Sequence, residues 1–185
     1  MKLLLHICCA PCSIMCIETL RGEGIEPVGF WDNPNIHPFT EFRMRRNTLV
    51  DYAREIGLSL IVEGGYGLRP FLEAVGGDFD GRCPVCYRLR MRSAARYAAE
   101  NGFTHFTTTL LISPYQNHEL LARTAREAGE KFGVAFLYRD FRPFFREGQD
   151  RARAMGLYMQ KYCGCVFSEE DRYRKRKKSP KKEEA

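Results

Sequence analysis

Four of the eight cysteines fall within the first sixteen residues, MKLLLHICCAPCSIMC, and this crowding constrains the local fold more than any other feature. The apolar run at residues 3–5 reads as a strand that delivers Cys8 and Cys9 into a turn marked by Pro11. Cys12 and Cys16 follow at one-turn spacing on a helix. The remaining cysteines form two close pairs, Cys83-Pro-Val-Cys86 and Cys163-Gly-Cys165. Lys2 and three leucines do not make a secretory signal, because His6 interrupts the run well short of the ~7–15 apolar residues such a signal needs. The expected compartment is therefore cytoplasmic and reducing, where clustered thiols serve metals or catalysis rather than structural disulfides.

Downstream, strands and helices alternate. A strand at 2–7 leads to a helix at 12–22, a strand at 26–33 to a helix at 39–57, and a third strand spans 58–63. On the second helix Phe42, Leu49, Tyr52, Ala53 and Ile56 share a stripe, with Thr40 as cap and Gly57 as stop. The glycine-rich stretch 64–82 holds a short helix, followed by a helix at 83–102 and a strand at 103–111. A helix within 115–133, a strand at 134–140 and a last helix at 149–160 complete the order. Strands separated by helices of this length imply α/β units: an open, mostly parallel sheet with helices on both faces, three layers in all. Ligands of such sheets bind beyond the carboxyl ends of the strands. Cys8 and Cys9, Asp32 to His37, Ser113 to Tyr115 and the start of the Cys83 helix all belong to that edge.

A chain of 185 residues has room for one substantial core, expected at 1–171. No apolar run approaches the ~18 residues of a membrane span. The net charge of +6 is concentrated in residues 172–185, RYRKRKKSPKKEEA, with eight Lys/Arg against two Glu, so the rest of the chain balances. Such a block is expected to be a disordered arm suited to polyanions such as RNA.

Cys83-x-x-Cys86 at a helix start places two sulfurs near free backbone N–H groups. With Cys8 and Cys9 it offers four soft ligands, suited to zinc or iron–sulfur. Adjacent cysteines sit awkwardly in a closed zinc knuckle, whereas neighbouring thiolates can serve separate corners of a [4Fe–4S] cube. Cys163-Gly-Cys165 suits either a disulfide that opens and closes on a mobile segment or a pair of thiolates for a second metal.

The blocks LLHICCAPCS, DNPNIHPFTEF, RCPVCYRLRM, FTTTLLISPYQNH and QKYCGCVFS together resemble the epoxyqueuosine reductases of the QueH type, over about residues 3–168. The resemblance implies an adenine nucleotide α-hydrolase-like α/β fold. It also implies an iron–sulfur enzyme, independent of cobalamin, that reduces epoxyqueuosine to queuosine at the wobble position of tRNA. Carried over residue by residue, it makes Cys8, Cys9, Cys83 and Cys86 the [4Fe–4S] ligands and Cys163 and Cys165 a redox-active pair. Cys12 becomes a candidate for a separate iron, while Cys16 lies outside the matched blocks and is expected to pack in the core. An external donor of ferredoxin or flavodoxin type would supply electrons, and a monomer is expected. Removing an epoxide oxygen also needs a proton donor, for which His37, Glu41, Asp32 and Tyr115 are the candidates. Asn33, Asn35 and Asn117 could read ring or ribose edges, and Arg43, Arg45 and Arg46 could bind phosphates. The alternatives are a tRNA-modifying ATP pyrophosphatase of the same broad fold, which lacks its phosphate loop here, and a zinc-stabilised RNA-binding protein.

Overall fold

In the computed structural model, which describes residues 1–174, five parallel strands line up in the order β3-β2-β1-β4-β5. They are β1 (Leu3–His6), β2 (Val28–Trp31), β3 (Leu60–Val62), β4 (His105–Thr108) and β5 (Ala135–Phe136). Their crossovers carry α1 (Ala10–Gly22), α2 (Phe39–Glu55), α3 (Leu68–Val75), α4 (Arg82–Glu100) and α5 (His118–Phe132). After the sheet come α6 (Phe145–Ala154) and α7 (Val166–Tyr173). Helix α1 packs against α2 and α6, and α4 packs along α5. Right-handed parallel crossovers put those two sets on opposite faces of the sheet. The open three-layer α/β architecture expected from the alternation is the one observed.

β1 lies at the centre, paired with β2 (His6 opposite Phe30) and with β4 (His6 opposite Thr108). All four of its residues are buried, which is why Leu-Leu-Leu-His carries no polar alternation. Chain connections leave β1 toward one face and β4 toward the other, so a crevice opens between their carboxyl ends. The cysteine-rich turn lies in that crevice.

Several expected boundaries move for local reasons. Helix α1 starts two residues early, at Ala10, because proline suits the first helical turn. Helix α2 begins after Pro38, and Thr40 is not its cap. β4 stops at Thr108, whose hydroxyl accepts the Leu110 N–H and starts a 3₁₀ turn over Thr109–Ile112. β5 is only two residues long. The last expected helix, 149–160, is instead α6, ended near Gly156 in a left-handed conformation (φ 66°). Helix α7 was not expected, and it takes Arg172 and Tyr173 into the folded unit. The basic arm beyond them, residues 175–185, lies outside the described residues. No helix among the described residues is long and apolar enough to cross a membrane.

Candidate metal centre

Helix α1 begins immediately after Cys9, so its first turn carries Cys12 back over the Cys8–Cys9 turn. The sulfurs of Cys8, Cys9 and Cys12 all lie within 4.8 Å of one another, and all three residues are buried. The β4 edge supports them from the other side of the crevice. Thr109 Oγ1 accepts the Cys8 N–H at 3.2 Å and donates to Cys8 Sγ at 3.5 Å. Gln160, after α6, donates through Nε2 to Cys9 Sγ at 3.0 Å and to Cys12 Sγ at 3.4 Å.

Three thiols this close share charge. Hydrogen bonds from Cys12 and Cys9 hold the Cys8 thiol well below its usual range. Burial pushes Cys9 up, and the hydrogen bond to Cys8 raises Cys12. Within the trio negative charge is therefore favoured on Cys8 over Cys9 and Cys12. A bound cation would displace thiol protons and gain three soft ligands, so these residues suit a thiophilic metal. Cys16 stands apart: it is buried in the core, and its Sγ donates to the Cys12 carbonyl at 3.3 Å.

The other four cysteines form a second neighbourhood. Burial pushes Cys83 up, and the thiols of Cys163 and Cys165 add to the effect. Cys86 is pushed up to about 12 by burial, partly offset by Arg90. Cys163 is exposed and accepts a hydrogen bond from Gln116 Nε2 at 3.2 Å. Cys165 is buried against Phe71 and Val75. The Cys163-Gly-Cys165 segment is strapped in place rather than loose. His37 N–H donates to the Gly164 carbonyl at 2.7 Å, the Tyr162 hydroxyl donates to the His37 carbonyl at 2.6 Å, and the Val166 N–H donates to His37 Nδ1 at 3.3 Å. Arg45 adds Nη1 to the Cys163 carbonyl (2.8 Å) and Nη2 to the Tyr162 carbonyl (2.9 Å). Gly164 has φ of 153°, and a Cβ there would stand 3.3 Å from Ile36 and 3.4 Å from Arg45.

Between the two neighbourhoods lies a cavity of about 510 Å³. Cys8, Cys12 and Cys163 line it, with Tyr115 and Phe145 among the residues of its wall and Arg153 and Lys161 supplying positive charge. Tyr115 is 84% exposed and meets Phe145 edge-on at 5.9 Å.

Several residues assigned from sequence sit elsewhere. His37 is buried behind the strap, against Tyr66 and Phe71, and is not among the cavity residues. Asp32 accepts a hydrogen bond from the Ser93 hydroxyl, also away from the cavity. Glu41 is paired with Arg45 and accepts from the Tyr158 hydroxyl. Asn33 donates to the Ile7 carbonyl and Asn35 is buried, so neither is free to read a base, whereas Asn117 caps α5 through its Oδ1 and is exposed. Arg45 points inward, whereas Arg43 remains outward. Gln160 and Thr109 were not singled out: their partners lie more than a hundred residues away, and no local pattern marks them.

The buried state of His37 has a measurable consequence. Burial lowers its pKa from 6.5 to about 4, so it is neutral in the fold. Between those values the unfolded chain binds more protons, so stability is fully present above about pH 6.5 and falls as pH drops toward 4. His6, likewise lowered to about 4 by burial and by Arg90, adds to the same window. Urea midpoints followed by the single, fully buried Trp31 should fall between pH 7 and pH 4.5. The fall should be shallower in His37→Gln, and an equal fall in that variant would remove His37 from the account.

The sequence profile of the epoxyqueuosine reductase QueH family matches residues 3–171, the whole of the fold that carries these thiols. The chain belongs to that family. Curated QueH relatives named epoxyqueuosine reductase agree with the assignment. One from Dehalococcoides mccartyi is 37% identical over 174 residues, covering 94% of this chain and 96% of that one. One from Thermotoga maritima is 33% identical, covering 89% and 88% respectively. A Haemophilus influenzae relative is 34% identical and covers 92% of this chain and 72% of its own.

Proposed function

We infer that this protein reduces epoxyqueuosine to queuosine in tRNA, the last step of queuosine formation, with an iron–sulfur group as its electron store. The observation that carries the reading is the placement of residues inside the matched region: Cys8 and Cys12 of the buried triad line, with Cys163, one cavity at the carboxyl edge of the sheet. The donor set fits such a group, since soft thiolates suit iron–sulfur chemistry, and Cys8, Cys9 and Cys12 are buried while Cys83 lies exposed at the start of α4. Cys8 and Cys9 would hold it from the first turn, with Cys83 and Cys86 completing the set from α4. Cys12 is left for a separate iron, and Cys163 with Cys165 for the redox pair.

When bound, the group supplies electrons one at a time at low potential. The overall step breaks two C–O bonds of the epoxide, forms one C=C bond, consumes two electrons and two protons, and releases water. An external donor of ferredoxin or flavodoxin type would refill the electrons. The chain's own residues bind and orient the nucleoside. Arg153 and Lys161 suit tRNA phosphates at the cavity, and Tyr115 with Phe145 offers an aromatic surface for an unstacked base. Of the four proton-donor candidates, Tyr115 alone lines the cavity, and we assign the proton to its hydroxyl.

The test is anaerobic turnover of tRNA carrying epoxyqueuosine, with nucleosides read by mass spectrometry. Queuosine should form with loss of one oxygen; fully iron-loaded protein that yields none sinks the reading. Tyr115→Phe should lower kcat by about 10²-fold or more while leaving KM for tRNA nearly unchanged. Full kcat in that variant takes the proton away from Tyr115 and leaves its ring as a contact surface only.

A further inference from the structure

Among the described residues, Arg90 is a buried guanidinium with no carboxylate partner. It is 1% exposed and lies four residues beyond Cys86 on α4, on the same helical face. Its Nε donates to Asn35 Oδ1 at 2.7 Å. Asn35, itself buried, turns its other end to Cys86 Sγ, with Nδ2 donating at 2.9 Å. Arg90 Nη2 is buried with no hydrogen-bond partner among the described residues. No carboxylate of the described residues lies within 4.0 Å of it, in contrast to Arg45, which has Glu41.

Such a charge is costly to bury without a partner anion. The titratable groups facing Arg90 are Cys8, Cys86, His6 and His37. Neither histidine can carry negative charge. That leaves the sulfurs. Of the two, Cys86 is tied to the guanidinium by geometry, through Asn35, which touches both.

We propose that Arg90, held by Asn35, is the counter-cation of the thiolate-bound group and sets its reduction potential. This rests on the reading of an iron–sulfur group in the preceding section. Each electron added makes that group more negative, and a fixed cation in a low-dielectric site favours the more negative state. Arg90 thereby raises the reduction potential of the group above the value that thiolates alone would give. Asn35 does two things at once. Its oxygen orients the cation, and its N–H donates to Cys86 Sγ, which also stabilises negative charge on sulfur.

Dye-mediated redox titration of the anaerobically reconstituted full chain tests this, with iron and sulfide measured on every sample. Arg90→Met should keep iron and sulfide and lower the reduction equilibrium constant about tenfold, ~59 mV for one electron. Arg90→Lys, which keeps the charge, should stay close to the unsubstituted chain. Asn35→Asp puts a carboxylate against the guanidinium, cancels its charge, and should shift the midpoint in the same direction as Arg90→Met. A loaded Arg90→Met protein with an unshifted midpoint overturns the proposal. Should that variant fail to fold, loaded Asn35→Asp decides in its place, by a negative shift or none. Unsubstituted protein holding zinc and no sulfide overturns the iron–sulfur reading, and the role of Arg90 falls with it. That result is distinct from a normal midpoint that Arg90→Met merely matches.

Discussion

Cys8→Ala should lose the bound metal and with it queuosine formation, while Cys16→Ala should keep both. The two residues lie in one sixteen-residue stretch and are both buried, so burial alone does not separate them. Position does. Cys8 is within 4.8 Å of two other sulfurs, has its thiol pKa lowered by hydrogen bonds from Cys12 and Cys9, and lines the cavity. Cys16 is one turn further along α1, where its Sγ donates to a helix carbonyl. Removing Cys8 takes away a sulfur ligand itself, so the loss of activity should exceed the ~10–100-fold typical of residues that only support a ligand. Removing Cys16 deletes one buried sulfur and should cost on the order of 1 kcal/mol through the void it leaves. Iron and sulfide content after anaerobic reconstitution, thermal unfolding and turnover of epoxyqueuosine tRNA measure the pair together. Full iron in Cys8→Ala would remove the triad as the metal site. Loss of iron in Cys16→Ala would show that the metal reaches one turn deeper than the geometry of the trio indicates.

What the sequence discloses divides along the range of the interaction. The order of strands and helices, the placement of Cys8, Cys9 and Cys12 at one turn, and the location of the site at the carboxyl edge follow from local pattern and the rules of parallel sheets. The grouping of the thiols does not. Reading by resemblance joins Cys8 and Cys9 to Cys83 and Cys86, and the folded chain adds the surroundings of each pair: Cys12 within 4.8 Å of the first, Cys163 and Cys165 near the second. Closeness across some eighty residues of chain is a property of packing, and no periodicity encodes it. Arg45 makes the same point. In sequence it belongs to the basic run Arg43, Arg45 and Arg46, and such a run reads as a phosphate-binding face. In the fold it is the one that turns inward, because Glu41 lies one helical turn before it and the 162–163 carbonyls lie opposite. Helix α7 escaped notice because its short, charged sequence carries little apolar signal of its own. Its apolar contact is Phe167, which packs against Phe71 and Phe79.

Arg45→Met should destabilise the protein by about 3–5 kcal/mol and loosen the Cys163-Gly-Cys165 strap. Arg45 is 1% exposed, and its Nε donates to Glu41 at 2.7 Å. Methionine fills much of the space but leaves the Glu41 carboxylate buried with only the Tyr158 hydroxyl for company. It also abandons the carbonyls of Tyr162 and Cys163, each of which loses the charged donor now within 3 Å. The buried ion pair and the strap are therefore one device, fixing the loop that carries both cysteines to the helix that follows β2. Two measurements separate the parts. Urea unfolding followed by Trp31 reports the stability loss, and Arg45→Met with Glu41→Leu should recover a large share of it, since replacing a whole buried pair by apolar groups is often close to neutral. The rate of thiol labelling at Cys165, 8% exposed in the fold, reports the strap. It should rise in Arg45→Met and stay high in the double variant, because recovering the charge balance does not restore the two carbonyl contacts. Labelling that returns to the unsubstituted rate in the double variant would mean that His37 and Tyr162 hold the loop unaided, and that Arg45 contributes charge balance alone.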